Sequence, residues 1–455
     1  MAVLHAKSAL LPKGWARDVT VQIGVDGRIA SLDPVAESGS VDHHVDILIP
    51  APGNVHSHAF QRAMAGLTER RGIKGQDSFW TWRQLMFRFL DRLTPDDVQA
   101  ITAQVQMQML EAGYASVGEF HYLHHQPGGA PYDDMGEMSA RIAAAARQSG
   151  IGLTLLPVLY QQGGVDGREL GPGQIRFGND PERFFALLEM ARNAMSDLPG
   201  DSVLGAAPHS LRAVSQEALR DVANNATGPI HLHLAEQKGE VDEISEAYGA
   251  RPVQWLLDNQ PPDSRWCVIH CTRMQPDETI ALAQTGAVAG LCPITEASLG
   301  DGIFDGTRWL RANGKLAIGS DSNIRISLSE ELRQLEYSQR LKDHARAVFA
   351  RPGGSTGRFL YDAVLEGGAQ ALGRASGAIA PGQFADLTAL DGDASDLIGR
   401  DGDTVLDTWV FTTGDDLVRD VWAAGRHMVR NGRHVARDAI SANYRACLSR
   451  LGEAM

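Results

Sequence analysis

Along the middle of this 455-residue chain, short apolar runs alternate with helix-length amphipathic segments, and no other feature constrains the fold as much. The runs are 46–55, 115–122, 152–160, 202–207, 229–234, 266–270, 287–292 and 315–320. The segments between them are 95–112, 134–149, 181–196, 215–225, 239–259, 275–284 and 296–313. A strand followed by a helix, many times over, predicts βαβ units and a parallel sheet. Eight such units predict an α/β fold of the closed (β/α)8 TIM-barrel type. The competing architecture is an open doubly wound sheet. No GxGxxG or Walker-type phosphate loop stands between a strand and a helix, which argues against it. Two more helices, 328–346 and 357–372, are predicted after the last strand.

The two ends of the chain read differently. Short alternating runs at 19–23 and 28–32 flank an Asp26-Gly27 turn, and runs at 386–390, 418–422 and 425–429 precede Asn431-Gly432. They predict a small β-sandwich domain built from both ends. Residues 1–50 and 381–455 would supply that domain and a C-terminal tail, and residues 51–380 the barrel. Charge bears on partners: 42 Lys+Arg against 56 Asp+Glu leave a net charge of −14. Such a chain is a poor general binder of nucleic acid or anionic membrane, so an anionic substrate would need positive charge supplied locally. The 4 cysteines, Cys267, Cys271, Cys292 and Cys447, are too scattered for a disulfide framework. With no signal-peptide pattern and no apolar run of about 18 residues, a cytoplasmic location is expected.

The polar residues fall where barrels keep their chemistry. The first run leads into Val55-His56-Ser57-His58, and histidines at i and i+2 of a strand share a face. The fifth run is followed by Leu232-His233-Leu234-Ala235-Glu236, the sixth ends in His270, and the eighth in Gly319-Ser320 before Asp321. Barrel interiors are normally filled with branched aliphatics, and catalytic groups sit at strand C-termini. Four strands ending in imidazole or carboxylate predict a shared metal and acid–base site at the barrel mouth.

On these residues the chain resembles the amidohydrolase superfamily over nearly its whole length. His56 and His58 match that family's first-strand HxH, His233 its fifth-strand ligand, His270 its sixth-strand histidine and Asp321 its eighth-strand aspartate. Phe384-Ala385-Asp386-Leu387 and Ala424-Gly425-Arg426 look like its C-terminal strands. Many members hold two metals bridged by a carboxylated lysine at the end of strand four. Here that strand ends Ala207-Pro208-His209-Ser210, with no lysine, so the resemblance implies one metal. The HxxE spacing of His233 and Glu236 is that of the deaminase branch. Within it the chain is similar to the formimidoylglutamate deiminase family through Gln61, Arg83, Tyr122, His209 and Arg212. There these groups hold the glutamate portion of the substrate and its formimino head.

The resemblance implies one Zn2+, or Fe2+ or Mn2+, held by His56, His58, His233 and Asp321, and a homodimer. Imidazoles with a carboxylate suit such an ion, which lowers the pKa of a water from about 16 toward about 7. Glu236, His270 and Asp321 are the expected catalytic groups. The expected reaction is hydrolytic deimination of N-formimidoyl-L-glutamate in histidine degradation. The alternatives are deamination of a cyclic amidine such as a purine, and, in another class, a non-catalytic barrel scaffold. Arg83 and Arg212 could each offer a bidentate fork to a carboxylate, or pair with an acid or lie in solvent instead. Tyr122 reads equally as a core-edge tyrosine, and His209 as a capping or packing residue. His231 shares a face with His233 but sits one pleat deeper, which suits support of the ligands or packing rather than ligation. His121, His124 and His125 read as a solvated loop, and Cys292 as a small buried apolar residue. The 66–90 segment reads as a lid over the mouth, or else as a dimer contact or surface excursion.

Overall fold

A computed structural model of the chain describes residues 2–33, 41–69 and 79–453. Four strands open it: β1 (Ala2–Leu11), β2 (Gly14–Ile23), β3 (Ile29–Asp33) and β4 (His43–Pro50). The middle carries β5 (Gly53–Ser57), β6 (Ser116–His121), β7 (Gly152–Leu159), β8 (Val203–Leu204), β9 (Ala207–Pro208), β10 (Ile230–Leu234), β11 (Trp266–His270), β12 (Val288–Leu291) and β13 (Lys315–Ile318). The chain closes with β14 (Leu387–Leu390), β15 (Val418–Ala423), β16 (Arg426–Arg430) and β17 (Arg433–His434).

The middle strands form two parallel arcs, β5-β6-β7-β8 with β9 also on β7, and β10-β11-β12-β13. Backbone bonds join the arcs at both seams. At one, Ala206 bridges to Ile230 and Ser210 to His233. At the other, Ser57 bridges to Asp321, with Asp321 N–H donating to His56 O and His58 N–H to Asp321 O, each at 2.9 Å. With β8 and β9 sharing one position, this is a (β/α)8 barrel. Every residue of β6, β7, β10 and β11 is buried, as expected for strands covered on both faces. The surrounding helices start where their sequences provide acceptors: Thr94, Asp180 and Ser215 each take a backbone N–H of the first turn.

Four predicted elements divide. The 202–207 run is two short strands, β8 and β9, with Gly205-Ala206 between them. The 46–55 run is two strands: β4 pairs with β1 and β14, while β5 enters the barrel. The change falls at Ala51-Pro52, where proline has no N–H to continue a ladder. The 239–259 helix is two, Lys238–Tyr248 and Pro252–Asn259, because Gly249 turns left-handed (φ 71°) and Pro252 begins the second. The 296–313 helix is Pro293–Leu299 and Gly306–Arg311, parted at Gly300, φ 73°. In the 66–90 segment, residues 70–78 lie outside the described residues; Phe79–Leu90 is a helix, not a loop.

Strands of both chain ends run in one hydrogen-bonded path, β17-β16-β15-β14-β4-β1-β2-β3. β1, where no strand was expected, lies between β4 and β2. The sheet has its own core, with Leu4, Val21, Leu48, Leu387 and Trp422 among its members. Helices of the C-terminal segment leave it and pack on the barrel. Trp409 of Asp403–Phe411 meets Tyr361 at 5.6 Å between rings, and Arg450 of Arg437–Glu453 bonds Asp97. A buried ionic cluster ties sheet to barrel: Arg374 reaches Asp386 at 2.7 Å and Asp201 at 2.8 Å, and Arg426 reaches Asp201 at 2.8 Å. No helix among the described residues is long and apolar enough to cross a membrane.

Candidate active site

The site grows out of four strand ends. β5 delivers His56 and then His58, β10 delivers His233, and β11 ends on His270. Asp321 stands three residues beyond β13. The barrel seams bring them together: His56 Nε2 lies 3.1 Å from His233 Nε2 and 3.5 Å from Asp321 Oδ1. His58 Nε2 lies 3.3 Å from the same carboxylate oxygen. His270 stands slightly apart, its Nε2 at 3.9 Å from both Asp321 Oδ2 and Glu236 Oε1.

Tautomers follow from the outer nitrogens. His58 Nδ1 donates to Phe120 O at 2.9 Å, and His233 Nδ1 to His209 O at 3.1 Å. Each therefore turns an unprotonated Nε2 inward. Burial, reinforced by neighbouring histidines, holds His56 and His233 well below the usual imidazole value. Burial also lowers His58, against the pull of Asp321. Neutral nitrogens with converging lone pairs and one carboxylate repel each other unless a cation lies between them, so the residues fit a divalent metal. The ligand atoms of His56, His58 and His233, and those of His56, His270 and Asp321, lie within 4.8 Å of one another. His270 differs: burial opposes its charge, but Glu236, Glu296 and Asp321 prevail and push it up to about 10. Its Nδ1 faces Glu296 Oε1 at 3.3 Å.

Glu236 is aimed by a strained turn. Ala235 is left-handed, φ 51°, and its N–H and that of Glu236 donate to the Glu240 carboxylate at 3.1 and 2.9 Å. Thr272 Oγ1 donates to Glu236 O at 2.8 Å. Burial pushes the Glu236 carboxyl up to about 7. His270 and Asp321 are also left-handed, φ 71° and 46°. Side chains of this type rarely adopt such angles, and they persist where surrounding structure imposes them. Beneath Asp321 that structure is an amide–hydroxyl network. Asn54 Nδ2 donates to Ser320 Oγ at 2.7 Å, Ser320 Oγ to Asn323 Oδ1 at 2.6 Å, and Asn323 Nδ2 to Ser57 Oγ at 3.1 Å.

A cavity opens over these groups. Gln61, Arg83, Tyr122, His209 and Arg212 border it together with His58, His233, Glu236, His270 and Asp321. Only His56 among the expected site residues lies beneath rather than on its wall. Gln61 Nε2 donates to Tyr122 Oη at 2.8 Å. The wall runs outward ring by ring: His209 stands 4.9 Å from His233, and Tyr160 4.6 Å from His209. Arg83 Nη2 then donates to Tyr160 Oη at 2.8 Å.

His121, His124 and His125 do not form a solvated loop; all three are buried. The His124 and His125 N–H groups are tied to Arg176 O, and their rings bond Val158 O and Gly178 O. His231 is buried and bonds Ala371 O at 2.8 Å. Cys292 is buried near His270 and Glu296. Sequence reasoning passed over several contributors. Tyr160 closes the predicted 152–160 strand, so the strand-end rule could have found it. Glu240, Glu296 and Phe177 carry no such signal, since only the folded chain places them.

Residues 47–428 match the family described as "Amidohydrolase family". Residues 1–44 match "Formimidoylglutamate deiminase HutF, N-terminal domain". The chain is 47% identical to a formimidoylglutamate deiminase of Pseudomonas aeruginosa, over 100% of this chain and 99% of that one. A crystal structure of an amidohydrolase from Brucella melitensis superposes with a TM-score of 0.94 at 46% identity, covering 99% and 100% of the two chains. An adenosine deaminase from Xanthomonas campestris with bound zinc shares the fold, with a TM-score of 0.81 at 21% identity over 99% and 98%.

Proposed function

The chain belongs to the amidohydrolase family, and from that premise we propose that it hydrolyses N-formimidoyl-L-glutamate to N-formyl-L-glutamate and ammonia, a step of histidine degradation. It is a hydrolase of C–N bonds, and its relative at 47% identity over the whole chain carries that activity in its name. The observation that carries the substrate is the composition of one cavity. The metal-ligand group and Glu236 share it with Arg83 and Arg212. A linear amidine bearing two carboxylates needs a hydrolytic centre at one end and guanidinium forks at the other.

His56, His58, His233 and Asp321 would hold a single divalent ion, with Zn2+ the best match to three imidazoles and a carboxylate. When bound, that ion supplies Lewis acidity that makes a hydroxide nucleophile available near neutral pH. Asp321 accepts the proton of the attacking water. His270, hydrogen-bonded through Nδ1 to Glu296, presents a cationic edge beside the developing charge. The C–O bond forms at the formimino carbon as Glu236 protonates the imine nitrogen, which becomes an amine. Glu236, now a carboxylate, takes the hydroxyl proton of the adduct while Asp321 returns its proton to that nitrogen, so the C–N bond breaks as the C=O bond forms and ammonia leaves. The carbonyl of N-formyl-L-glutamate remains. Arg83 and Arg212 hold the carboxylates, and Gln61, Tyr122 and His209 orient the chain between them and the metal group.

Ammonia release decides between this reading and a purine one, for which the aromatic wall of Tyr122, Tyr160 and Phe177 could stack a ring. Turnover of N-formimidoyl-L-glutamate without turnover of adenosine is expected. The reverse pattern overturns the proposal.

A further inference from the structure

We propose that Arg176 is a positioning residue for recognition of the substrate's carboxylates. It acts by anchoring the helix Phe79–Leu90, and with it Arg83, over the cavity. This deepens the reading above and rests on it for the identity of the substrate.

Arg176 belongs to a short turn, Ile175–Phe177, and is only 1% exposed. Its guanidinium makes a fork of bonds to main-chain carbonyls. Nε donates to His125 O at 2.7 Å, Nη1 to Leu90 O, and Nη2 to Leu93 O at 3.1 Å. Leu90 ends the helix that carries Arg83, and Leu93 lies one turn beyond it. The last carbonyls of a helix have no partner within it and bear the negative end of its dipole, so a buried cation is well matched to them. The planar fork fixes the angles between its acceptors, which a single ammonium cannot do. Arg176 therefore sets the helix end against the chain after β6. Its own carbonyl, accepting from His124 and His125 at 3.1 and 3.0 Å, closes the same clamp from the main-chain side.

The other end of the helix is referenced to the same strip of chain. Arg83 donates to Tyr160 Oη, which also accepts from Gln174 Nε2 at 2.9 Å, two residues before Arg176. Phe177, next to Arg176, forms part of the cavity wall, with its ring 4.8 Å from Tyr122 and 5.5 Å from Tyr160. The strip Gln174–Phe177 thus meets one helix end directly through Arg176, reaches Arg83 through Tyr160, and shapes the cavity between. Trp82, Met86 and Phe87 of that helix border the cavity as well. None of the atoms Arg176 bonds belongs to a candidate metal ligand. Its removal should therefore loosen the carboxylate end of the site and spare the chemistry.

The test uses R176K and R176M in the metal-loaded, full-length protein. With N-formimidoyl-L-glutamate, R176M should raise KM about tenfold, with kcat and bound metal within about twofold of the parent; R176K should fall between. In an R83M background the same change should add little to KM, because both act through one guanidinium. Limited trypsin digestion gives a readout that needs no substrate: cleavage after Arg88 and Arg92 should quicken in R176M and less in R176K. A fall in kcat at constant KM, fully additive KM effects with R83M, or unchanged tryptic rates would overturn the inference. Absence of turnover by the parent protein would refute the substrate reading instead, and the tryptic comparison would still decide the anchor.

Discussion

Replacing Glu240 by alanine isolates how the acid group is aimed. The Glu240 carboxylate accepts the buried N–H groups of Ala235 and Glu236 at 3.1 and 2.9 Å. Bonds to a charged acceptor contribute about 1.5–3 kcal/mol each, so the clamp supplies about 3–6 kcal/mol in its native geometry. Part of that offsets the left-handed Ala235 (φ 51°), a conformation costing a residue with a Cβ about 1–2 kcal/mol. Without the clamp the turn relaxes, the strain is released, and Glu236 swings away from the substrate nitrogen. A displacement of about 1 Å of a reacting group costs about 100-fold in rate. His233 precedes the turn and keeps its bond to His209 O, so metal content should hold. The assay is ammonia release alongside metal stoichiometry. Adding Ala235→Gly to the Glu240→Ala protein should recover about tenfold in kcat, since glycine adopts positive φ without that penalty and about 1.4 kcal/mol is tenfold. Parental kcat in Glu240→Ala, or metal lost in step with activity, would refute the reasoning.

Two further outcomes are expected. Glu236→Gln should retain metal and lose about 100- to 10,000-fold in kcat, the usual contribution of a positioned acid–base group; an undiminished rate removes Glu236 from proton transfer. Burial pushes the Asp201 carboxyl up, but Arg426 and Arg374 outweigh burial and hold it below the ordinary carboxylate value. A lowered folded-state pKa contributes stability that is present above the unfolded value, about 3.9, and is lost as pH falls through the folded one. Thermal midpoints should therefore drop below about pH 4 in the parent and flatten there in Asp201→Asn, which should also lose about 3–5 kcal/mol near neutrality from the broken buried pair. An identical acid limb in both proteins counts against the assignment.

The barrel was legible because its signal is redundant. Alternation of buried strands and amphipathic helices recurs around the ring, so 266–270 was placed correctly even though it is short, and its neighbours could slip by a residue or two without changing the fold. Boundaries failed where a single residue decides them: Pro52 ends one sheet and starts another inside one apolar run, and Gly249 cuts a helix that periodicity alone would continue. The meeting of His56, His58, His233 and Asp321 was legible for a related reason. A strand end is a point in sequence and in space at once, so the final polar residue of each run announces where it will stand. His121, His124 and His125 defeated that logic. Three polar rings at and beyond a strand end look solvated, yet all are buried: Arg176 O, distant in sequence, takes the His124 and His125 N–H groups, and their rings bond Val158 O of β7 and Gly178 O.

Apart from Phe177, which lines the cavity, the groups that sequence could not reveal share a task. Glu240, Glu296 and the Asn54–Ser320–Asn323 network touch the backbone or outer nitrogens of the reactive residues rather than the space a substrate would occupy. They sit beside the left-handed residues Ala235, His270, Asp321 and Asn323. Strand geometry by itself would carry each chain on past the mouth of the barrel. Turning it sharply, so that an imidazole or carboxylate faces the axis, costs conformational energy at each of those positions. Buried acceptors and donors placed under the turns offset that cost and fix the angle of approach, which is where catalytic precision resides. Substitutions in this supporting layer should therefore lower rate without emptying the metal group, whereas substitutions in His56, His58, His233 or Asp321 should do both.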